Sequence, residues 1–150
     1  MLKGIDPLLT SDLLKVLADM GHDDAIVLAD CNFTAVRLAS GKPVLRLPGT
    51  TMLHMVRAVE SVLPLATDVP HPVAFMQVSE TTPPYRSALQ REVIDLLAPA
   101  LRPGQSPEAL ERFAFYERAR AAFAIVVTGE AQPFGNFILR KGVIGENLRP

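Results

Sequence analysis

Residues 25–30, Ala-Ile-Val-Leu-Ala-Asp, are apolar at every position until a terminal carboxylate. A run of strand length with no polar alternation marks a strand buried on both faces, the kind found at the centre of a parallel sheet. Such a strand needs a covering layer on each side, and the remainder of the chain has to supply helices for both.

The flanking segments have that character. Thr10 or Ser11 can cap a helix running to about Met20, with Asp12 in its first turn, Leu13, Leu14, Leu17 and Met20 on one face, and Gly21 as a stop. A short strand at Val44–Leu47 leads through Pro48-Gly49 into a helix from about Thr51 to Leu63. Residues 73–78 read as another strand, Pro83-Pro84 breaks the chain, and Tyr85–Leu97 reads as a helix. Beyond that helix two readings stay open: Ser106-Pro107 caps a helix, or residues 108–112 form a strand feeding a helix from Phe115. Ala122–Thr128 is strand-like, Gly129–Asn136 carries turn residues, and Phe137–Val143 returns as a strand, so the last pair reads as a wide hairpin. Only the last few residues look frayed.

This alternation predicts an α/β layered fold. With 150 residues, of which 49% are hydrophobic, the chain has the size and apolar content for one domain, residues 1–150, and no more.

Charge narrows the partners. Fifteen basic residues against sixteen acidic ones give a net charge of −1, so no general electrostatic attraction to nucleic acid or to an anionic membrane is expected. No apolar stretch approaches the roughly twenty residues of a membrane span. The single cysteine, Cys31, has no partner for an internal disulfide, and the first residues lack the apolar run of a signal peptide; the expectation is a cytoplasmic protein.

In open α/β sheets ligands gather at the carboxyl ends of strands, which singles out Asp30 and the loop Gly129–Asn136. Asp30 has an alternative role as a turn carboxylate satisfying backbone donors in the following loop. His22 can give and take protons near neutral pH, yet an imidazolium just past a helix C-terminus is also stabilised by the helix dipole alone. His54 falls with Arg57 and Ser61 on the polar side of its helix, and His71 lies between prolines in a surface loop; both read as solvated. Cys31 reads as a small buried apolar residue. The histidines have no metal-ligand spacing, and the fingerprints of acyl transfer, phosphate binding and dinucleotide binding are missing, so no metal and no cofactor is expected.

Several longer motifs occur in order: Met1-Leu-Lys-Gly-Ile-Asp-Pro-Leu-Leu, Met20-Gly-His-Asp-Asp, Leu28-Ala-Asp-Cys-Asn-Phe, Arg112-Phe-Ala-Phe-Tyr-Glu-Arg-Ala, Phe123-Ala-Ile-Val-Val-Thr-Gly-Glu and Phe134-Gly-Asn. Together they span almost the whole chain and resemble the fucose mutarotase branch of the fucose mutarotase and ribose pyranase family. The resemblance implies a three-layer α/β/α subunit with a mostly parallel central sheet, assembled as a homo-oligomeric ring, commonly a decamer, with a monosaccharide site near a subunit boundary. It implies that His22 transfers protons while Asp30, Arg112 and the tripeptide Phe134, Gly135 and Asn136 contact the sugar. The family has tyrosine where this chain has Phe134, so one hydroxyl is missing. Tyr116 and Glu117, or a water, are the candidates to replace it.

Overall fold

The 25–30 run forms the central strand β1 (Ala25–Ala29), with every residue from Ile26 to Ala29 fully excluded from solvent. Five more strands complete one sheet: β2 (Val44–Leu47), β3 (Val73–Met76), β4 (Glu108–Leu110), β5 (Ala124–Thr128) and β6 (Phe137–Arg140), in the order β2-β5-β1-β6-β3-β4. All neighbours pair in parallel except β6, which runs antiparallel between β1 and β3. The computed structural model describes residues 1–145; the fraying expected of the last few residues lies outside them.

Helices cover both faces, and the period-2 side-chain alternation of the strands assigns the residues to each. Ile26 and Leu28 of β1 join Phe75, Phe137 and Leu139 beneath α1 (Ser11–Asp19), α3 (Met52–Glu60) and α4 (Ala88–Leu97). Val27, Ala29, Ile125 and Ile138 point the other way, under α2 (Ala35–Ala39) and α5 (Arg112–Ala121). Burial of each large aliphatic or aromatic side chain in these two layers contributes about 1.5–3 kcal/mol.

The helix starts follow the capping residues in the sequence. Thr10 and Thr51 accept the N–H groups of Leu13 and His54 at the starts of α1 and α3. For α4 the cap is Ser87, in a reciprocal capping box with Gln90, so the helix begins three residues later than the Tyr85 read from the sequence. Of the two readings near residue 108, the strand is correct, but α5 starts at Arg112 because the Glu111 carboxylate accepts the N–H groups of Phe113 and Ala114.

The wide hairpin is a correction. β5 and β6 are not neighbours, since β1 stands between them and pairs in parallel with β5 and antiparallel with β6. The loop between β5 and β6 therefore crosses the carboxyl end of β1. Its first residue, Gly129, passes so close to the β2–α3 turn that a Cβ would lie 2.0 Å from the Pro48 carbonyl oxygen.

Candidate active site

Parallel strands deliver their carboxyl ends to one side of a sheet, and an inserted antiparallel strand begins there. In consequence Asp30 follows β1, Met76 ends β3, and Asn136 precedes β6, all at one edge. The start of α5, entered directly from the carboxyl end of β4, adds Arg112 and Tyr116. These residues, with Phe33, Phe134 and their neighbours, line an open cavity of about 170 Å³.

Its polar floor is a buried pair. Asp30 and Asn136 are 3% and 2% exposed, so their polar atoms depend on protein partners for hydrogen bonds. The Asp30 N–H donates to Asn136 Oδ1 at 2.9 Å, and Asn136 Nδ2 donates to Asp30 Oδ2 at 2.8 Å. Asp30 Oδ1 also accepts the Asn32 N–H at 2.9 Å, so the turn role and a place in the cavity are held by the same carboxylate. Burial pushes the Asp30 carboxyl above its ordinary value of 3.8, the nearby Glu130 pushes the same way, and the Asn32 N–H and the Asn136 amide oppose them.

The cavity walls are aromatic. Phe33 meets Phe115 and Tyr116 edge to face at 5.9 and 5.8 Å, and Phe113 continues the chain of rings from Tyr116 at 6.0 Å. The Arg112 guanidinium lies 4.7 Å from the Phe113 ring centroid. Phe134 has φ of +62°, a left-handed conformation that is uncommon for a residue with a Cβ. Gly135, next in the chain, is packed closely enough that a Cβ would meet Leu89 Cδ2 at 2.8 Å and the Gln132 carbonyl oxygen at 3.0 Å.

Five of the six residues singled out from the sequence are thus assembled: Asp30, Arg112, Phe134 and Asn136 line the cavity, and Gly135 is the tight joint between two of them. His22 is not with them. It precedes β1 while Asp30 follows it, and five strand residues separate the two ends by about 16 Å at a rise near 3.3 Å per residue. There it is exposed and its Nε2 lies 2.9 Å from Asp68 Oδ2, a contact that lowers the Asp68 pKa. The α1 C-terminus, for which the sequence offers His22 as a possible cation, is also met by Lys141, whose Nζ donates to the carbonyls of Leu17 and Met20.

Phe33, Met76 and Tyr116 are site residues that the motifs did not single out as sugar contacts. Their apolar, helix- or strand-periodic surroundings read as core, and only the crossing of strand ends turns them toward a cavity. Glu117 pairs with Arg120 and does not line the cavity, so of the two side chains named beside water as substitutes for the hydroxyl, Tyr116 is the one that lines it. Cys31 is a correction: it is exposed in the loop after β1, where its N–H donates to the Glu130 carbonyl. His54 is exposed and paired with Asp6 at 2.9 Å, while His71 Nδ1 lies 2.8 Å from the Ser106 carbonyl oxygen.

Larger hollows exist, including one of about 570 Å³ beside Tyr85, Arg86, Arg91 and Asp95. Its lining is exposed or half-buried and holds no buried polar pair, so convergent chemistry favours the smaller cavity. Among the described residues no three His, Cys, Asp or Glu side chains gather into a metal-holding group, and no helix is long and apolar enough to cross a membrane.

Fold and site together define an α/β protein with a small, open cavity that offers directional hydrogen bonds against aromatic walls. Residues 3–144 match the RbsD / FucU transport protein family, and the chain belongs to that family. Three solved structures are similar over nearly their full lengths. A protein provisionally described as sugar-binding is 37% identical, with 97% of each chain covered and a TM-score of 0.87. FucU from Bifidobacterium longum is 34% identical, covering 95% of this chain and all of the other, with a TM-score of 0.84. The fucose mutarotase from Streptococcus pneumoniae, solved in complex with L-fucose, is 33% identical, covering 96% of this chain and all of the other, with a TM-score of 0.85.

Proposed function

We propose that this protein is a sugar mutarotase that interconverts the α and β anomers of L-fucose or a related free monosaccharide by opening and closing the ring. The observation that carries the proposal is the buried Asp30–Asn136 pair at the floor of an aromatic-walled cavity, since hydroxyl-rich rings with apolar faces need this combination. The similarity to a fucose mutarotase that binds L-fucose supports it.

The chemistry needs proton transfer only. A base takes the anomeric O–H proton, the C1–O5 bond breaks as C1=O1 forms, and an acid protonates O5. Rotation about C1–C2 and the reverse steps on the other carbonyl face give the second anomer. Asp30 and Asn136 hold sugar hydroxyls, Arg112 orients the sugar or Asp30, Phe134 stacks on its apolar face, and Gly135 lets the loop close. His22 is the proton-transferring group. Because it stands at the far end of β1, it serves the cavity of a neighbouring copy in a homo-oligomeric ring, a decamer by resemblance.

A cavity of about 170 Å³ is smaller than the roughly 300–1,000 Å³ of complete small-molecule sites, in keeping with walls supplied by a second chain.

Saturation-transfer NMR on equilibrated fucose, ribose, galactose and arabinose tests the reading. Accelerated α/β exchange on fucose supports it, and a ribose preference moves the substrate to pyranose–furanose exchange. Exchange at the buffer rate with retained binding makes the protein a noncatalytic sugar binder, a role the missing hydroxyl of Phe134 favours. Mixing His22→Ala with Asp30→Ala chains tests the shared site. Random assembly places an intact Asp30 against an intact His22 at one half times one half, roughly a quarter, of the boundaries, so about that share of activity returns. No recovery in verified mixed rings refutes a site shared between subunits.

A further inference from the structure

Gln90 lies outside the cavity, in the first turn of α4, and is completely buried. Its amide is used in full. Nε2 donates to the Met76 carbonyl at 2.7 Å and to the Phe134 carbonyl at 3.1 Å, while Oε1 accepts the Ser87 N–H at 3.0 Å. Three neighbours fix this orientation: with the amide turned over, its oxygen would face two carbonyl oxygens and its NH₂ would face an N–H. A helix cap requires only the bond to Ser87. The two donated bonds serve another purpose.

Both accepting carbonyls belong to residues that line the cavity, and the residues flank Asn136 from two directions. Met76 donates its N–H to the Asn136 carbonyl at 3.1 Å, one step beyond the last register pair, Phe75 with Phe137. Phe134 immediately precedes Gly135 and Asn136 in the chain. Its backbone is left-handed, and its carbonyl accepts the second Gln90 donor. The chain of contact therefore runs from α4 through Gln90 to the Phe134 turn, and from that turn to Asn136 and Asp30.

We infer that Gln90 is a positioning residue for the sugar site, setting the pose of the Phe134 ring and the Asn136 amide through the carbonyls of Met76 and Phe134. Without its two donors the left-handed turn loses its hydrogen-bonded anchor on the α4 side, keeps only the apolar packing of Gly135 against Leu89, and relaxes toward commoner backbone conformations. The ring and the Asn136 amide then lose their fixed geometry, and a site built on such geometry weakens without losing any group that touches sugar. The functional part of this inference rests on the proposed sugar site; the structural part does not.

The test compares Gln90→Met, which fills the same space without donors, with Ser87→Ala, which weakens the α4 cap but keeps the backbone N–H that Gln90 Oε1 accepts. Hydrogen exchange in the sugar-free protein reads the positioning directly. In Gln90→Met the amides of Asp30 and Met76 exchange at least tenfold faster while those of Val27 and Ile125 do not; in Ser87→Ala neither pair changes selectively. Uniform acceleration across the sheet, or the same pattern in both variants, overturns the inference. Anomer-exchange kinetics then read the consequence, with KM for fucose raised several-fold in Gln90→Met and kcat changed less. An unchanged KM alongside selective amide exposure also overturns the functional part. If the wild-type protein neither binds nor converts any sugar, the proposed function fails and the exchange data decide the positioning alone. Should Gln90→Met not fold, Gln90→Glu serves: ionised, it repels both carbonyls, and protonated it regains one donor. Its KM ratio to wild type must therefore fall toward one as pH is lowered, and a pH-independent ratio refutes the role.

Discussion

Removing the Asn136 side chain isolates the energetics of the cavity floor. Asn136→Ala deletes the acceptor of the Asp30 N–H and a donor to the Asp30 carboxylate, at sites with 3% and 2% exposure where protein partners are hard to replace. A neutral hydrogen bond contributes about 0.5–1.5 kcal/mol and one to a charged group about 1.5–3 kcal/mol, so the sum is about 2–4.5 kcal/mol. Water reaching the vacated space through the open cavity restores part of it, which places the expected loss near the lower end, about 2–3 kcal/mol. The Asn136 amide is also one of the groups holding Asp30 ionised, so its removal raises the Asp30 pKa further. Urea denaturation at fixed protein concentration gives the stability change, and a double-mutant cycle with Asp30→Ala gives the coupling of the pair. A loss below about 0.5 kcal/mol, or a coupling energy indistinguishable from zero, would show that the pair is not the closed unit its geometry indicates.

Burial raises the Asp30 pKa, so the folded protein holds that proton to higher pH than the unfolded chain does, and the associated stability, full below the unfolded value, is lost as pH rises through the folded value. Wild type should therefore gain stability relative to Asp30→Asn as pH falls from neutrality into the carboxylate range, and a difference independent of pH in urea titrations contradicts the raised pKa. Gly135→Ala puts a methyl 3.0 Å from the Gln132 carbonyl and 2.8 Å from a movable leucine terminus, so about 1–3 kcal/mol of stability is lost and fucose affinity falls, as thermal unfolding and NMR titration would register. Phe134→Tyr adds one hydroxyl at a half-buried wall of the cavity; a useful transition-state hydrogen bond of about 0.5–1.5 kcal/mol raises the anomer-exchange rate roughly two- to tenfold. An unchanged rate and unchanged sugar preference in an assembled variant would remove Phe134 from the proton-transfer problem.

The layered architecture was legible because its signals are local. Continuous apolar runs gave β1, β3 and β5, and Thr10 and Thr51 marked helix starts that the structure reproduces as side-chain caps. The five-residue α2 was missed, since it spans less than two turns and shows no helical period. The false hairpin had a different cause. Nearness in sequence favours antiparallel neighbours, but β5 instead pairs Ala124 with Ile26 and Ile125 with Val27, contacts across about a hundred residues that no local pattern encodes. That insertion of β1 is also what brings Asp30 beside Asn136, so the topological error and the site have a common origin.

His22 shows what a resemblance carried over residue by residue leaves out, the distance set by the intervening element. His22 and Asp30 are eight positions apart and look like members of one constellation, yet the segment between them is a strand, the element that separates residues fastest per position. A helix over the same span would have advanced only about 12 Å and left room for a bend; β1, fixed by pairs on both sides, allows none. Within one subunit the two groups therefore cannot act on the same small sugar, whatever the local side-chain motion. If both serve one reaction, the His22 end of one copy must meet the Asp30 end of another, a contact that can be built head to tail or, with both ends inside one patch, about a two-fold axis. Repeated head to tail around an axis such a contact closes a ring with one shared site at every boundary, whereas a two-fold pair makes it twice and stops at a dimer. The ring and the joint use of His22 and Asp30, one as proton carrier and the other as sugar contact, are both implied by the resemblance and are compatible through one contact. The length and rigid pairing of β1 make a second copy necessary if His22 acts at the Asp30 cavity.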